Sequence, residues 1–156
     1  MLRLRRMVGV TVVFAAVAVM AGCGSSDDEV PDPKKTVIRL FGAMQRDDQA
    51  QLTYLLDLPE LMRTLNEDYA LQTDSPRVIH DPQEILYDLT GDGRTKKAWF
   101  GLQRIIGATE ITGETNATVE VTFVDKAKSK AYLTRFGLRL DQGRWKIYSF
   151  KTVQGR

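Results

Sequence analysis

Residues 130–153 read Lys-Ala-Tyr-Leu-Thr-Arg-Phe-Gly-Leu-Arg-Leu-Asp, then Gln-Gly, then Arg-Trp-Lys-Ile-Tyr-Ser-Phe-Lys-Thr-Val. In the first run Tyr132, Phe136, Leu138 and Leu140 fall on one side of a two-residue period, while Arg135, Arg139 and Asp141 fall on the other. That is the pattern of a strand with one face buried and one wet. Gln142-Gly143 is short enough for a hairpin turn, so the run from Arg144 to Val153 returns antiparallel to the first. In this last strand Trp145 and Ile147 share a side with Tyr148 and Phe150 opposite, which predicts cover on both faces.

The same period extends backwards. Ile105–Thr112 and Ala117–Asp125 read as two further strands, separated by the turn-forming stretches 113–116 and 126–129. The C-terminal third is therefore expected to be a four-stranded antiparallel meander. Upstream of it the period changes to that of a helix. Asp32-Pro33 is a cap followed by a first helical position, and Val37, Leu40, Phe41 and Met44 then form one apolar stripe. Asp47-Asp48 breaks it, and a short helix is expected from Gln49 to Leu56. Pro59 opens another, with Leu61, Met62, Leu65 and Tyr69 on one face. Residues 73–82 read as a loop. Asp81-Pro82 starts a helix carrying Ile85, Leu86 and Leu89, which ends at Gly91-Asp92-Gly93. The run from Thr95 to Arg104 fits either a helix face or the entry to a strand. Helices first and sheet second is the order of an α+β domain.

That domain, residues 33–153, is the third of three segments. Residues 1–22 carry Arg3, Arg5 and Arg6 ahead of an apolar run from Met7 to Met20, the order of a secretory signal peptide. The run is shorter than the roughly 20 apolar residues that span a bilayer. It ends Met20-Ala21-Gly22-Cys23, which resembles the lipobox of bacterial lipoproteins, although Met20 stands where Leu is usual. The resemblance implies a diacylglycerol on the Cys23 thiol and cleavage before it. Cys23 is the sole cysteine of the 156 residues, so no disulfide competes for it. Residues 23–32 are then the lipidated N-terminus and a polar, flexible tether. The expected localisation is lipid-anchored in the cell membrane or outer membrane, with the domain facing the periplasm or exterior. Once the signal is removed, 19 of the 22 basic residues remain against 20 acidic ones. Such a near-neutral chain with interleaved signs lacks the basic patch of a nucleic-acid reader.

The run Thr36-Val37-Ile38-Arg39-Leu40-Phe41-Gly42-Ala43-Met44-Gln45-Arg46-Asp47-Asp48, the hairpin Gly113-Glu114-Thr115-Asn116-Ala117-Thr118-Val119-Glu120-Val121 and the ending Leu138-Arg139-Leu140-Asp141-Gln142-Gly143-Arg144-Trp145-Lys146-Ile147 resemble the nuclear transport factor two-like superfamily, particularly its bacterial lipoprotein members. The resemblance implies a curved sheet wrapped against helices in a cone whose open end often forms a pocket. It transfers packing and no catalytic residue.

Chemistry-bearing residues are few. His80 is the sole histidine, flanked by Asp81 and Pro82, and reads as a solvated loop residue or a general base lacking an oriented partner. Asp88-Leu89-Thr90-Gly91-Asp92-Gly93 places oxygens at alternate positions as a calcium loop does. Trp99 then stands where the bidentate Glu belongs, and a turn ending a helix explains the same residues. No metal or cofactor is expected. Trp99, Phe100, Tyr132, Phe136, Trp145 and Tyr148 are candidates to line an apolar ligand pocket, or else to be core. The expectation is a non-enzymatic envelope module that binds a protein partner or a small apolar ligand. The alternative is a pocket enzyme of isomerase or hydrolase type using Glu120, Asp125 or Asp141.

Overall fold

The computed structural model describes residues 32–71 and 77–154. The expected signal peptide, Cys23 and the expected tether up to residue 31 lie outside the described residues. Among the described residues no helix is long and apolar enough to cross a membrane.

Aspartates start most of the helices. Asp32 accepts the Lys34 N–H at 2.8 Å ahead of α1 (Pro33–Gln45), and Asp48 accepts the Gln51 N–H ahead of α2 (Gln49–Leu55). Asp57 caps α3 (Leu58–Ala70), and Asp81 shares a capping box with Glu84 at α4 (Pro82–Leu89). Each carboxylate satisfies an N–H that the first turn leaves without a partner. The ambiguous run after Gly93 is both things in succession: α5 (Arg94–Phe100), then strand β1 from Gln103.

The fold is α+β. Strands β1 (Gln103–Thr112), β2 (Asn116–Asp125), β3 (Lys130–Asp141) and β4 (Arg144–Gln154) form one antiparallel sheet in the order β1-β2-β3-β4. The helices cover one face, and the core joins Val37, Leu40 and Met44 of α1 to Val119, Val121, Phe136, Leu138 and Ile147 of the sheet. Arg135, Arg139 and Asp141 stand exposed on the other side. At the β3–β4 turn Gln142 and Gly143 both have positive φ, 48° and 75°, the twist that a two-residue hairpin requires.

The expected two-faced burial of β4 is corrected by a bulge. Leu138 pairs with Ile147 but Gly137 pairs with Ser149, so Tyr148 is an extra residue. The insertion resets the alternation and returns Phe150 to the face of Trp145 and Ile147. Phe150 sits directly opposite Phe136, and all four side chains are core. The Tyr148 ring lies instead over Gly137, where a Cβ would press on that ring and on Ser149 Oγ.

Helices are stitched to the sheet at this bulge. The Asp57 N–H donates to the Ile147 carbonyl at 2.9 Å, and the Thr64 hydroxyl to the Tyr148 carbonyl at 2.9 Å. Arg139 donates to the Asp57 carboxylate at 2.6 Å. Leu56, expected in α2, is extended and bridges Ile147, because the chain leaves the helix there to follow β4.

The Asp88–Gly93 stretch is the joint between α4 and α5. Asp88 accepts the Arg94 N–H at 3.1 Å and the Thr95 hydroxyl at 2.5 Å, supplying the cap that Gly93 lacks. Asp47 reaches across from the end of α1 to accept the Gly91 N–H and to pair with Lys96 at 2.6 Å. Those two partners, Lys96 foremost, hold the Asp47 carboxyl below the usual carboxylate range. A Cβ on Gly93 would overlap the Asp88 carbonyl, so only glycine fits the joint. The loop's oxygens are thus engaged in fixing α5.

Asn66 of α3 pins the segment entering α4. Its amide nitrogen donates to the Ile79 carbonyl at 2.9 Å and its oxygen accepts the Ile79 N–H at 2.7 Å, as a strand neighbour would. Ile79 is 4% exposed, so truncating Asn66 strands a backbone pair at the edge of the core. Asn66→Ala is expected to lower the unfolding free energy by about 1–3 kcal/mol. Urea denaturation checks this: the midpoint should fall with the slope unchanged.

Candidate functional site

The joint aims Trp99 into the space between helices and sheet. Its ring centroid lies 5.9 Å from Phe41 of α1, 5.4 Å from Phe123 of β2, 5.5 Å from Phe136 of β3 and 5.5 Å from Phe150 of β4. It stacks on Phe123 and meets the other three edge-on, both favoured arrangements of ring quadrupoles. One half-buried side chain therefore fills the centre of the layer.

The aromatic residues proposed for a pocket do not line one cavity. Trp99 and Phe136 touch within this cluster. Tyr132 packs half-buried beside it, across from Phe123. Trp145 is buried opposite Leu140, near the β3–β4 turn and four pairs away from Phe136. Tyr148 is the bulge residue on the opposite face of the sheet. Phe100 lies under the Arg104 guanidinium at 4.0 Å, with Phe41 5.0 Å away on the same cation. Arg104 Nη1 is buried without a hydrogen-bond partner among the described residues, and burial pulls the guanidinium below its ordinary range. Ring faces substitute for the missing acceptor.

The candidate catalytic groups are dispersed. Glu120 pairs with Arg135 at 3.0 Å on the wet face of the sheet. Asp125 accepts the Lys128 N–H in the β2–β3 turn, and Asp141 pairs with Lys146 at 3.3 Å by the β3–β4 turn. His80 is exposed, its backbone N–H donating to Glu84. These four groups thus sit at separate places in the fold, and among the described residues no three carboxylates, histidines or cysteines converge as a metal site.

What remains beside the aromatic cluster is a groove of about 280 Å³. Helix α3 contributes Leu65, Asp68 and Tyr69, α5 contributes Thr95 and Trp99, and β4 contributes Phe150, Lys151 and Thr152. The Trp99 and Phe150 rings meet at 78°, so they form a corner rather than a flat wall. The Thr152 hydroxyl is tied to buried Thr134 at 3.1 Å. Glu60 and Glu67 of α3 both pair with Arg63, whereas Asp68 makes no hydrogen bond or ion pair within the described chain. A void of about 20 Å³ behind the groove shares Leu65, Tyr69, Thr95 and Phe150 with it. A wider recess of about 790 Å³ opens over the α4–α5 joint, but Asp47, Asp88 and Asp92 on it are bonded to the chain's own cations and N–H groups.

Only part of this groove is visible in the sequence. Tyr69 and Leu65 read as an apolar helix face and Trp99 as a pocket candidate. Asp68, Thr95 and Lys151 carry no local signal, because the β4 bulge and the joint before α5 bring them together.

No protein-family model matches the sequence, and no curated protein matches it. Among solved structures, the chain is similar to an NTF-2 like protein of unknown function from Silicibacter pomeroyi, at 11% identity over 78% of this chain and 91% of that one, with a TM-score of 0.46.

Proposed function

We propose that the protein is a non-catalytic, lipid-anchored binding module of the cell envelope that engages its ligand or partner at the α3–α5–β4 groove. The observation that carries this reading is the Trp99 cluster. An enzyme that encloses its substrate between helices and sheet needs that space open, and here four phenylalanines and an indole occupy it. Binding is left to the surface beside the cluster, where aromatic side chains border Asp68 and Lys151, neither of which forms an ion pair among the described residues. Rings and charges of that kind at the edge of a packed core suit recognition. The anchor part rests on the basic-then-apolar N-terminus and Cys23, and the separation of Glu120, Asp125 and Asp141 weighs against a pocket hydrolase or isomerase.

Three outcomes are expected. Trp99→Ala should destabilise the fold by about 3–5 kcal/mol, as loss of a packed core aromatic does. Thermal and urea unfolding read this, and a cost below about 1 kcal/mol would make Trp99 a cavity wall instead. Mass spectrometry of the mature protein should find Cys23 N-terminal and diacylated, with Cys23→Ser released from the membrane fraction. An uncleaved, unmodified N-terminus sinks the anchor. A photo-crosslinking residue at position 68 or 151 should capture a specific adduct in cells of the source organism, while one at exposed Arg39 should not. A shift on a gel marks a protein partner, and a mass increment without one marks a small molecule. Equal labelling at all three positions, or none, overturns the groove.

A further inference from the structure

We infer that the groove holds a small alkylammonium ion, a proposal that rests on the binding reading above and specifies its chemistry. Trp99 and Phe150 stand nearly perpendicular, and Tyr69 borders the same groove from α3. Trp99 and Phe150 meet edge to face, so aromatic surface from two layers borders the groove together with Tyr69, and aromatic surface attracts quaternary and alkylated ammonium groups. Asp68 adds an anion at that place. It is half-buried and has no hydrogen-bond or ion-pair partner among the described residues, whereas its neighbours Glu60 and Glu67 on α3 are paired with Arg63.

The chain itself puts a cation on one of these rings, since the Arg77 guanidinium lies 5.9 Å from the Tyr69 centroid. That is within the range at which ring and charge attract. The volume of about 280 Å³ lies just below the usual range for small-molecule sites and suits a compact ion better than a long chain. Lys151 is the like charge on the groove, contributed by β4. Its removal and the removal of Asp68 must therefore act in opposite directions on a bound cation.

The test titrates choline chloride into the full chain in a non-ionic, choline-free detergent, following the backbone amide shifts of Thr95 and Lys151. Saturable shifts are expected. The neutral isostere 3,3-dimethylbutan-1-ol should bind roughly fivefold or more weakly. Asp68→Asn should weaken choline by a similar factor, and Lys151→Gln should tighten it by about twofold to threefold. Asp68→Asn keeps the side chain's shape, and a circular dichroism melt unchanged from the parent separates lost charge from lost fold.

Equal affinity for choline and the alcohol overturns the proposal in favour of an apolar ligand. Saturation by sodium acetate that Lys151→Gln abolishes overturns it in favour of an anion. No shift with any probe also overturns it. If the crosslinks at positions 68 and 151 persist in these cases, the groove stands and only the ammonium falls. Loss of those crosslinks removes the binding reading as well.

Discussion

The indole of Trp99 is where the two layers of this fold become one body. Helix α5 is two turns long and makes few contacts of its own, yet its one large ring touches α1 and three of the four strands. A ring so placed must arrive at a fixed height and angle, and the chain spends the whole α4–α5 joint achieving that. Asp88 caps the helix, Asp47 clamps Gly91 and Lys96, and Gly93 permits the backbone to pass the Asp88 carbonyl. The acidic, glycine-rich loop serves packing: its oxygens meet donors from the chain and aim a hydrophobic side chain six residues downstream of Gly93.

The second constraint is the one-residue bulge in β4. Without Tyr148 as an extra residue, Phe150 would face solvent, and the ring contacts with Phe136 and Trp99 would be lost. The same irregularity turns two carbonyls, those of Ile147 and Tyr148, towards the helices, where Asp57 and Thr64 take them up. Bulges bend a strand and locally disrupt its ladder. Here the freed hydrogen-bonding capacity docks α3, so the irregularity in the sheet and the attachment of the helical layer are one event.

This explains which parts of the molecule were legible in the sequence. Helix starts were legible because each depends on a residue and its neighbours: Asp before Pro at α1 and α4, and Asp48 before α2. The meander was legible because alternation is local, and Arg135, Arg139 and Asp141 could only be the wet face. The fate of Phe150 was not. Periodicity assigns it to the side of Tyr148, and the bulge that moves it is set by partners on β3 and α3 rather than by its own neighbours. The sequence leaves open, for a related reason, whether the aromatic residues line a pocket or fill the core. Aromatic residues in strands signal buried area, and nothing in their spacing says whether that area faces a void or the ring of Trp99, which arrives from a helix about 24 residues before the nearest of its strand partners on β2.

A filled interior has consequences for where recognition can occur. The apolar surface that would have enclosed a ligand is instead invested in stability, so binding is confined to edges of the cluster that remain accessible. Two such edges carry charge. At Arg104 the cation is already covered by Phe41 and Phe100, and its ring partners are complete. At the groove the rings of Tyr69, Trp99 and Phe150 adjoin Asp68, which has no charge partner among the described residues. The proposed site would thus repeat at the groove, beside the Arg77–Tyr69 contact, the cation-on-ring chemistry that Arg104 completes within the chain. Under the proposed anchoring at Cys23, the chain length between that residue and Asp32 allows at most roughly 30 Å. Tether and domain together would then keep the groove within roughly two domain diameters of the membrane, where proximity to membrane-bound ligands raises their effective concentration at a site of small enclosed area.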